Sequence, residues 1–375
     1  MTKNLFLTIT LLWFVFCFGQ DKISITGKVL DAENNEPLSF ASVSVQNSNY
    51  GTITNEEGQF KLILKDKVDQ ITFSYLGYKT KVIDLKNLSS NNQVVISLNP
   101  YKESLEEVIV TNKPLNEILK DVVETSRSKV KETAILTSYN REILKTDDDY
   151  CFFADGIFKY HIKGKKKKMR TKLELKSSRV KEGNCEGLEK FIKKSPLGYD
   201  LKDFNESYFK KNLANFMLNR VTKSNTGKYV FKLKTTHYDN RKVNKIEFRP
   251  NDNVDLKGLD AKGYVIYDAK TKLILETNIE KASNKKENAS GVDIFILEGS
   301  VIDYKQKYSF RFIDGTYTLS YIKEYKKYYL NNIWTTKYDK TFSFYADLTT
   351  LNYEPKVPEY KFDKYRDDFI YQNGN

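Results

Sequence analysis

The pattern of hydrophobic and polar positions predicts a chain built mainly of β-strands. Between residues 23 and 98, short apolar runs alternate with turns rich in Asn, Asp, Gly and Pro. Runs of this length with such boundaries are typical of strands joined by turns. The pattern therefore predicts a small antiparallel β-sandwich over residues 20–100. Its predicted strands are 23–29, 41–45, 60–64, 71–75, 80–85 and 94–98.

Strand-like runs also dominate from residue 134 to residue 375. They are joined by tight turn signals, of which Asp314-Gly315 is a strong hairpin cue. An antiparallel, curved sheet domain is the expected result. The predicted strands are 135–143, 151–162, 171–178, 228–235, 245–248, 263–268, 273–279, 293–303, 308–313, 317–325 and 340–346.

Two segments have helical rather than strand-like periodicity. In the linker 101–133, Pro114 precedes apolar residues at helical spacing, from Leu115 to Val123, which predicts an amphipathic helix. Residues 187–221 also spread their apolar side chains over helical spacings. We expect one or two helices from this insertion to cover one face of the sheet.

The first 19 residues have the pattern of an export signal. Lys3 precedes an apolar run from Leu5 to Phe18, and the polar residues Gln20, Asp21 and Lys22 follow Gly19. The run is shorter than the ~20 residues that a membrane-spanning helix needs. We therefore expect cleavage after Gly19 and a location in the periplasm or at the outer membrane.

The sandwich region carries a distinctive set of motifs. They are Gly27-Lys28-Val29-Leu30-Asp31, Glu36-Pro37-Leu38, Ala41, Val43, Val45, Gly51-Thr52-Ile53-Thr54, Gly58, Phe60 and Ser74-Tyr75-Leu76-Gly77-Tyr78. This set resembles the carboxypeptidase-regulatory-like domains of Bacteroidetes-type envelope proteins. That family implies a transthyretin-like β-sandwich without catalytic activity of its own. Asn55 departs from the Asp usual after the Gly-Thr-x-Thr turn.

Two further segments carry resemblances. Residues 105–111 look like the segment that leads into the plug of TonB-dependent receptors, but a helical pattern follows instead, which disfavours such a transporter. Ser138-Tyr139-Asn140-Arg141-Glu142 resembles a Tyr-Arg-Glu strand of envelope proteins, and the C-terminal part is similar to lipoprotein-carrier-like domains. The carrier resemblance implies that the sheet holds an acyl chain or a peptide. A plain aromatic core is the alternative.

The sequence carries no recognisable catalytic, cofactor or metal motif. The two histidines, His161 and His237, lie far apart and have no second His or Cys at ligand spacing. Neither a Gly-x-Ser-x-Gly elbow nor a phosphate-binding glycine loop is present. Asp147-Asp148-Asp149 lacks the spacing of a calcium loop and is read as a hairpin tip. We therefore expect no enzyme activity, no cofactor and no metal.

Charge and cysteines add two expectations. The 62 basic and 49 acidic residues give a net charge of +13, which favours acidic partners. After loss of Cys17 with the signal, Cys151 and Cys185 would remain and could form at most one disulfide. The aromatic context of Cys151 favours reduced thiols over that bridge.

The densest basic segment is a candidate surface for anionic head groups, with a solvated loop as the alternative. Export excludes nucleic acid as its partner. Its cationic members are Lys163, Lys165, Lys166, Lys167, Lys168 and Arg170.

Together these patterns predict an exported, non-enzymatic envelope protein with a binding or adaptor role. A lipid, a peptide or another envelope protein is the expected partner. An outer-membrane β-barrel formed by the C-terminal strands is the first alternative. A hydrolase with a dispersed active site is the second.

Overall fold

The computed structural model divides between Pro100 and Tyr101 into two compact units. It describes residues 23–354 except 40, 46–50, 56, 65–67, 76–77, 86–92, 101–112, 131–132, 148, 166–167, 184–208, 224–226, 239–240, 253–260, 283–286, 289–296, 314 and 333–339. The predictions for residues 1–19, 105–111 and 187–208 fall outside these ranges.

The first unit is the predicted β-sandwich. One sheet has the order β4-β1-β7 and the other β3-β2-β5-β6. Their buried apolar side chains form a single core, because alternate residues of each strand point to the same face. The strands are β1 (Ile23–Asp31), β2 (Ser42–Val45), β3 (Gly51–Ile53), β4 (Gln59–Leu64), β5 (Gln70–Ser74), β6 (Lys81–Asp84) and β7 (Gln93–Leu98).

Two features of the sandwich differ from the prediction. β3 is a strand where the sequence indicated only a turn, since its three residues are too few for a visible alternation. β7 pairs with β1 in parallel, so the sandwich is not wholly antiparallel. The parallel pairing is possible because the chain crosses to the second sheet and back between these two strands.

Two of the motif glycines stand where the backbone requires glycine. A Cβ atom on Gly27 would lie 2.1 Å from the carbonyl oxygen of Val94, so β1 and β7 approach closely only with glycine here. Gly58 has φ of +72°, in the left-handed region that glycine tolerates. Asn55 supplies the acceptor of the same turn, since its Oδ1 accepts the Gln59 N–H at 2.7 Å.

The second unit is a large antiparallel sheet with two helices. The sheet order is β10-β9-β8-β18-β17-β16-β14-β13-β12-β11, with β15 paired to β16. The chain is mainly β, as the sequence predicts. The elements are α1 (Leu115–Lys129), β8 (Thr133–Thr146), β9 (Asp149–Lys165), β10 (Lys168–Glu182), helix α2 (209–221), β11 (Tyr229–Tyr238), β12 (Arg241–Pro250), β13 (Ala261–Tyr267), β14 (Ile274–Lys281), β15 (Glu287–Asn288), β16 (Leu297–Ile313), β17 (Thr316–Asn332) and β18 (Lys340–Glu354).

The large sheet is open in the part of the chain that the structure describes. β10 and β11 stand at its two ends and do not pair with each other there. The closed sheet that the first alternative interpretation requires is therefore not formed by these strands. Among the described residues, no helix is long and apolar enough to cross a membrane.

One long strand replaces two predicted ones. The predicted strands 293–303 and 308–313 are parts of β16, which continues without a turn from Leu297 to Ile313. Its pairing with β17 shifts register after Val301 and after Ser309. Each bulge interrupts the apolar alternation, and this makes one strand look like two in the sequence.

Both helices pack against the same face of the large sheet, which we call the inner face. The buried side of α1, formed by Leu119, Val122 and Val123, belongs to the same hydrophobic core as the sheet residues. In α2, Phe209 packs edge-on against Phe310, with 4.7 Å between ring centroids. In the described part of the insertion 187–221, one of the expected covering helices is present as α2. The apolar sides of α1 and α2 are buried because they face the sheet.

Candidate functional site

The segment 138–142 presents its side chains to opposite faces of the sheet. Along β8, buried and partly buried positions alternate strictly. Ser138, Asn140 and Glu142 lie on the inner face, whereas Tyr139 and Arg141 lie on the outer face. The polar motif recognised in the sequence therefore forms two separate clusters.

The inner cluster begins with a chain of hydrogen bonds. Ser138 Oγ donates to Asn140 Oδ1 at 2.6 Å. Asn140 Nδ2 donates in turn to the Tyr160 hydroxyl at 2.6 Å. All three residues are at most 1% exposed. Their polar groups satisfy one another inside an otherwise apolar interior.

Glu142 stands next to this chain without a comparable partner. Its neighbours in the register are Ala154 on β9 and Ala346 on β18, whose side chains are too short to bond to it. Glu142 is 2% exposed, and its Oε1 accepts no hydrogen bond from any described residue. Burial raises the pKa of Glu142 to about 8. The carboxyl group is therefore protonated and neutral at pH 7.

A second buried carboxylate, Glu324, lies in the same row beyond Ala346. Unlike Glu142, it has partners: Gln306 Nε2 donates to its Oε1 at 2.8 Å, and Lys326 Nζ lies 2.7 Å from the same atom. Burial disfavours the Lys326 ammonium, but Glu324 outweighs burial and raises the pKa of that lysine. The charges of Glu324 and Lys326 compensate each other. Glu142 differs from Glu324 because no described cation pairs with it.

The outer cluster ties four strands together by ion pairs. Asp155 on β9 accepts from Arg179 Nε of β10 at 2.9 Å and from the Tyr139 hydroxyl of β8 at 2.8 Å. Arg141 of β8 donates to Asp347 of β18 at 2.6 and 3.0 Å. Burial raises the pKa of Asp347 and outweighs the opposing effect of Arg141. These contacts join neighbouring strands, which is a structural role.

The basic segment forms the end of a hairpin rather than a loop. β9 continues to Lys165 and β10 begins at Lys168, so the turn has only two residues between paired strands. The predicted loop was too long because flanking lysines hide the alternation. Lys163 and Arg170 face each other in the register, and Lys163 is exposed. Lys166 and Lys167 lie outside the described residues.

The remaining candidate residues have structural partners. Asp147 has φ of 48° and accepts from the Thr341 N–H at 2.9 Å, so it forms a hairpin turn as predicted. His161 Nε2 lies 3.2 Å from Glu174 Oε2. No cluster of potential metal ligands occurs among the described residues.

The prediction of a free thiol at Cys151 is wrong. This cysteine is disulfide-bonded. Pairing of β9 with β10 brings the chain back to this point, since the Gly183 N–H donates to the Cys151 carbonyl at 2.7 Å. The aromatic neighbours of Cys151 in the sequence gave no sign of this proximity.

Comparison with known proteins confirms the resemblance of the first unit. Residues 25–110 match the family model described as CarboxypepD_reg-like domain. No curated protein matches the sequence. The match covers the sandwich and leaves the large sheet unassigned.

Three solved structures are similar to the chain at low TM-scores. A DUF1329 family protein from Desulfovibrio piger has a TM-score of 0.30 and 10% identity, covering 68% of this chain and 96% of the other. A LolA superfamily protein from Nitrosomonas europaea has a TM-score of 0.26 and 10% identity, with coverages of 64% and 93%. Lipovitellin has a TM-score of 0.26 and 8% identity, with coverages of 62% and 26%.

Sequence analysis did not single out the inner cluster. The signal was nonetheless present, because Ser138, Asn140 and Glu142 alternate in phase with Leu136 and Leu144. Polar residues that alternate in phase with an apolar face point to the interior of the protein. Glu324 and Lys326 carried no such signal, since β17 is rich in Lys and Tyr at both phases.

Proposed function

We propose that this protein is an exported, non-enzymatic envelope protein that binds a lipid between the inner face of its large sheet and the covering helices. The observation that carries the proposal is a pair of buried polar groups in an apolar interior. Glu142 Oε1 and Thr277 Oγ1 are both enclosed on the inner face without a described hydrogen-bond partner.

Such groups are costly in a closed core. Leaving a buried polar group unsatisfied costs ~1–3 kcal/mol, so an interior that served packing alone would favour apolar residues there. The surrounding interior is aromatic and aliphatic, with Phe158, Tyr308, Phe310 and Phe342 all fully buried. An apolar chain with a polar end would match both parts of this environment.

The location belongs to the same proposal. The export pattern of residues 1–19 and the CarboxypepD_reg-like match of residues 25–110 favour the periplasm or the outer membrane. In this view the sandwich serves as an adaptor and the large sheet holds the ligand. The basic hairpin around Lys165 and Lys168 would contact anionic head groups of the membrane from which the lipid is taken.

Native mass spectrometry of the protein purified from its own envelope tests the proposal. We expect a mature chain that begins at Gln20 and carries a non-covalent adduct with the mass of a lipid. Extraction with organic solvent should remove the adduct and leave the polypeptide mass unchanged. A retained Met1 would contradict export, and a ligand-free chain or a bound peptide would contradict lipid binding.

A further inference from the structure

We propose that Glu142 receives the ammonium group of an amphipathic amine, so that the lipid bound by this protein carries a primary amine at its polar end. This inference deepens the proposed function and depends on it. It rests on the position of Glu142 in the sheet and on what surrounds its carboxyl group.

Only small side chains stand beside the Glu142 carboxyl group in its row of the sheet. Alanine flanks Glu142 on both neighbouring strands, as Ala154 and Ala346, so the adjacent positions of the row hold only methyl groups. Glu324, the next acid in the row, lies two strands away, or ~10 Å from backbone to backbone. Glu142 is therefore separated from the other charged pair of this row.

The inner cluster favours a donor on the ligand. Ser138 donates to Asn140, and Asn140 donates to Tyr160, so the neighbouring donors of β8 are already directed along their own chain. Lys326 is held by Glu324 at 2.7 Å. Because no described donor bonds to this carboxyl oxygen, a ligand that supplies N–H donors complements it best. A cationic donor also compensates the charge of a buried carboxylate.

Most of the other titratable groups that the described residues place on the inner face are tyrosines. The charged ones include Glu324 and Lys326 on β17 and Lys281 on β14, with Glu182 at the exposed end of β10. The tyrosines are Tyr160 on β9, Tyr229 on β11, Tyr267 on β13, Tyr304 and Tyr308 on β16, Tyr317 and Tyr328 on β17, and Tyr353 on β18. The buried residues of α1 are Leu119, Val122, Val123 and Ser126, which do not titrate. Glu142 is the group on this face whose charge state a bound ammonium would change.

Binding is then coupled to release of a proton. In the empty protein the carboxyl group is protonated below about pH 8. Pairing with an ammonium requires the carboxylate, so the Glu142 proton passes to solvent while the amine keeps its own. The affinity for an amine should therefore rise about tenfold for each unit by which the pH increases towards that value, and level off above it. An alcohol of the same chain length should show no such dependence.

Isothermal titration of the full-length protein, freed of lipid, with dodecylamine, dodecanol and dodecanoate below their micelle concentrations tests the inference. We expect dodecylamine to bind at least tenfold more tightly than dodecanol, and to release one proton when titrated in buffers of different ionisation enthalpy. Glu142→Gln should remove both the preference and the proton release. Glu142→Asp should retain the preference at reduced affinity, and Glu117→Gln, at an exposed position of α1, should change nothing.

The outcomes separate this inference from the proposed function. Equal binding of all three probes, or tighter binding of dodecanoate, would overturn the role of Glu142 and leave lipid binding intact. If none of the three probes binds, both this inference and the proposed lipid binding are overturned. An amine preference that survives in Glu142→Gln would also overturn the assignment, because another group would then receive the amine.

Discussion

The hydroxyl oxygen of Ser126, on α1, accepts a hydrogen bond at 2.9 Å from the backbone N–H of Ile274, which lies 148 residues later at the start of β14. The register of β13 and β14 shifts just here, which leaves this N–H without a partner in the ladder. Ser126 also donates to the Val122 carbonyl at 2.8 Å. One small side chain thus fastens the helix to an irregular point of the sheet.

Replacing this serine should destabilise the second unit. Ser126→Ala leaves the buried Ile274 N–H unsatisfied, and we expect a loss of ~1–3 kcal/mol in the free energy of unfolding. Urea denaturation followed by circular dichroism measures this loss. Ser128→Ala, two residues later at an exposed position, is the matched control and should change stability by less than ~0.5 kcal/mol. Equal effects of the two substitutions would contradict the anchoring role.

The stability of the protein should depend on pH through Glu142. Its pKa rises from 4.5 in the unfolded chain to about 8 in the folded protein, so the folded state binds the proton more tightly. This contribution is fully present below pH 4.5 and declines by roughly 1 kcal/mol per pH unit up to about 8. Glu142→Gln should remove this decline and become the more stable protein at neutral pH. Parallel stability–pH curves for the two proteins would refute the raised pKa.

The outer-face pair of Arg141 and Asp347 should be sensitive to loss of one partner. Asp347 is almost completely buried, so Arg141→Met leaves its carboxylate without the arginine and with only the Tyr345 hydroxyl bonded to it, which should cost ~3–5 kcal/mol. The double variant with Asp347→Asn should cost less than the sum of the single changes. Arg249→Met breaks the exposed pair with Asp252 and is the control, with an expected effect of ~0–1 kcal/mol. Additive losses in the double variant would show that the two side chains do not interact.

Acid stability of the sandwich should depend on Tyr78. Its hydroxyl donates to Asp31 Oδ2 at 2.5 Å, and this bond, followed by the Glu33 N–H, holds the pKa of Asp31 below 3.8. The stabilisation is present above the unfolded pKa and is lost as the pH falls through the lower folded value. Tyr78→Phe should therefore lower the melting temperature at neutral pH, and the difference from the parent should shrink in acid. If the melting temperatures of Tyr78→Phe and the parent differ by a constant amount down to ~pH 2, this linkage is excluded. The control Glu57→Gln, at an exposed position, should have the melting temperature of the parent at every pH.

The basic hairpin should strengthen binding to anionic membranes. Each Lys near such a surface contributes ~1 kcal/mol, so replacing Lys165, Lys166, Lys167 and Lys168 by Gln should weaken binding to anionic vesicles by orders of magnitude at low salt. Thermal stability and binding to neutral vesicles should not change. A control with the exposed residues Lys120, Lys129, Lys228 and Lys232 replaced by Gln has the same net charge. If both variants bind anionic vesicles equally, the hairpin has no specific role.

The sequence by itself determined most of the strands, the sandwich and the helix α1, because these follow from the alternation of neighbouring residues and from local turn chemistry. The strands 23–29, 94–98 and 317–325 lie within or close to the observed β1, β7 and β17. Local pattern also placed Ser138, Asn140 and Glu142 in phase with apolar neighbours. The strand boundaries were less certain where bulges interrupt the alternation, as in β16.

Only the tertiary structure decided which strands meet. β8 pairs with β18, so Arg141 and Asp347 are neighbours although 206 residues separate them. The parallel pairing of β1 with β7, the disulfide at Cys151 and the alanines beside Glu142 likewise depend on partners distant in the chain. Local periodicity fixes the face to which a side chain points, but long-range pairing fixes what it meets there. For that reason the segment of Glu142 indicates its burial, but neither its alanine neighbours nor its raised pKa could be read from that segment.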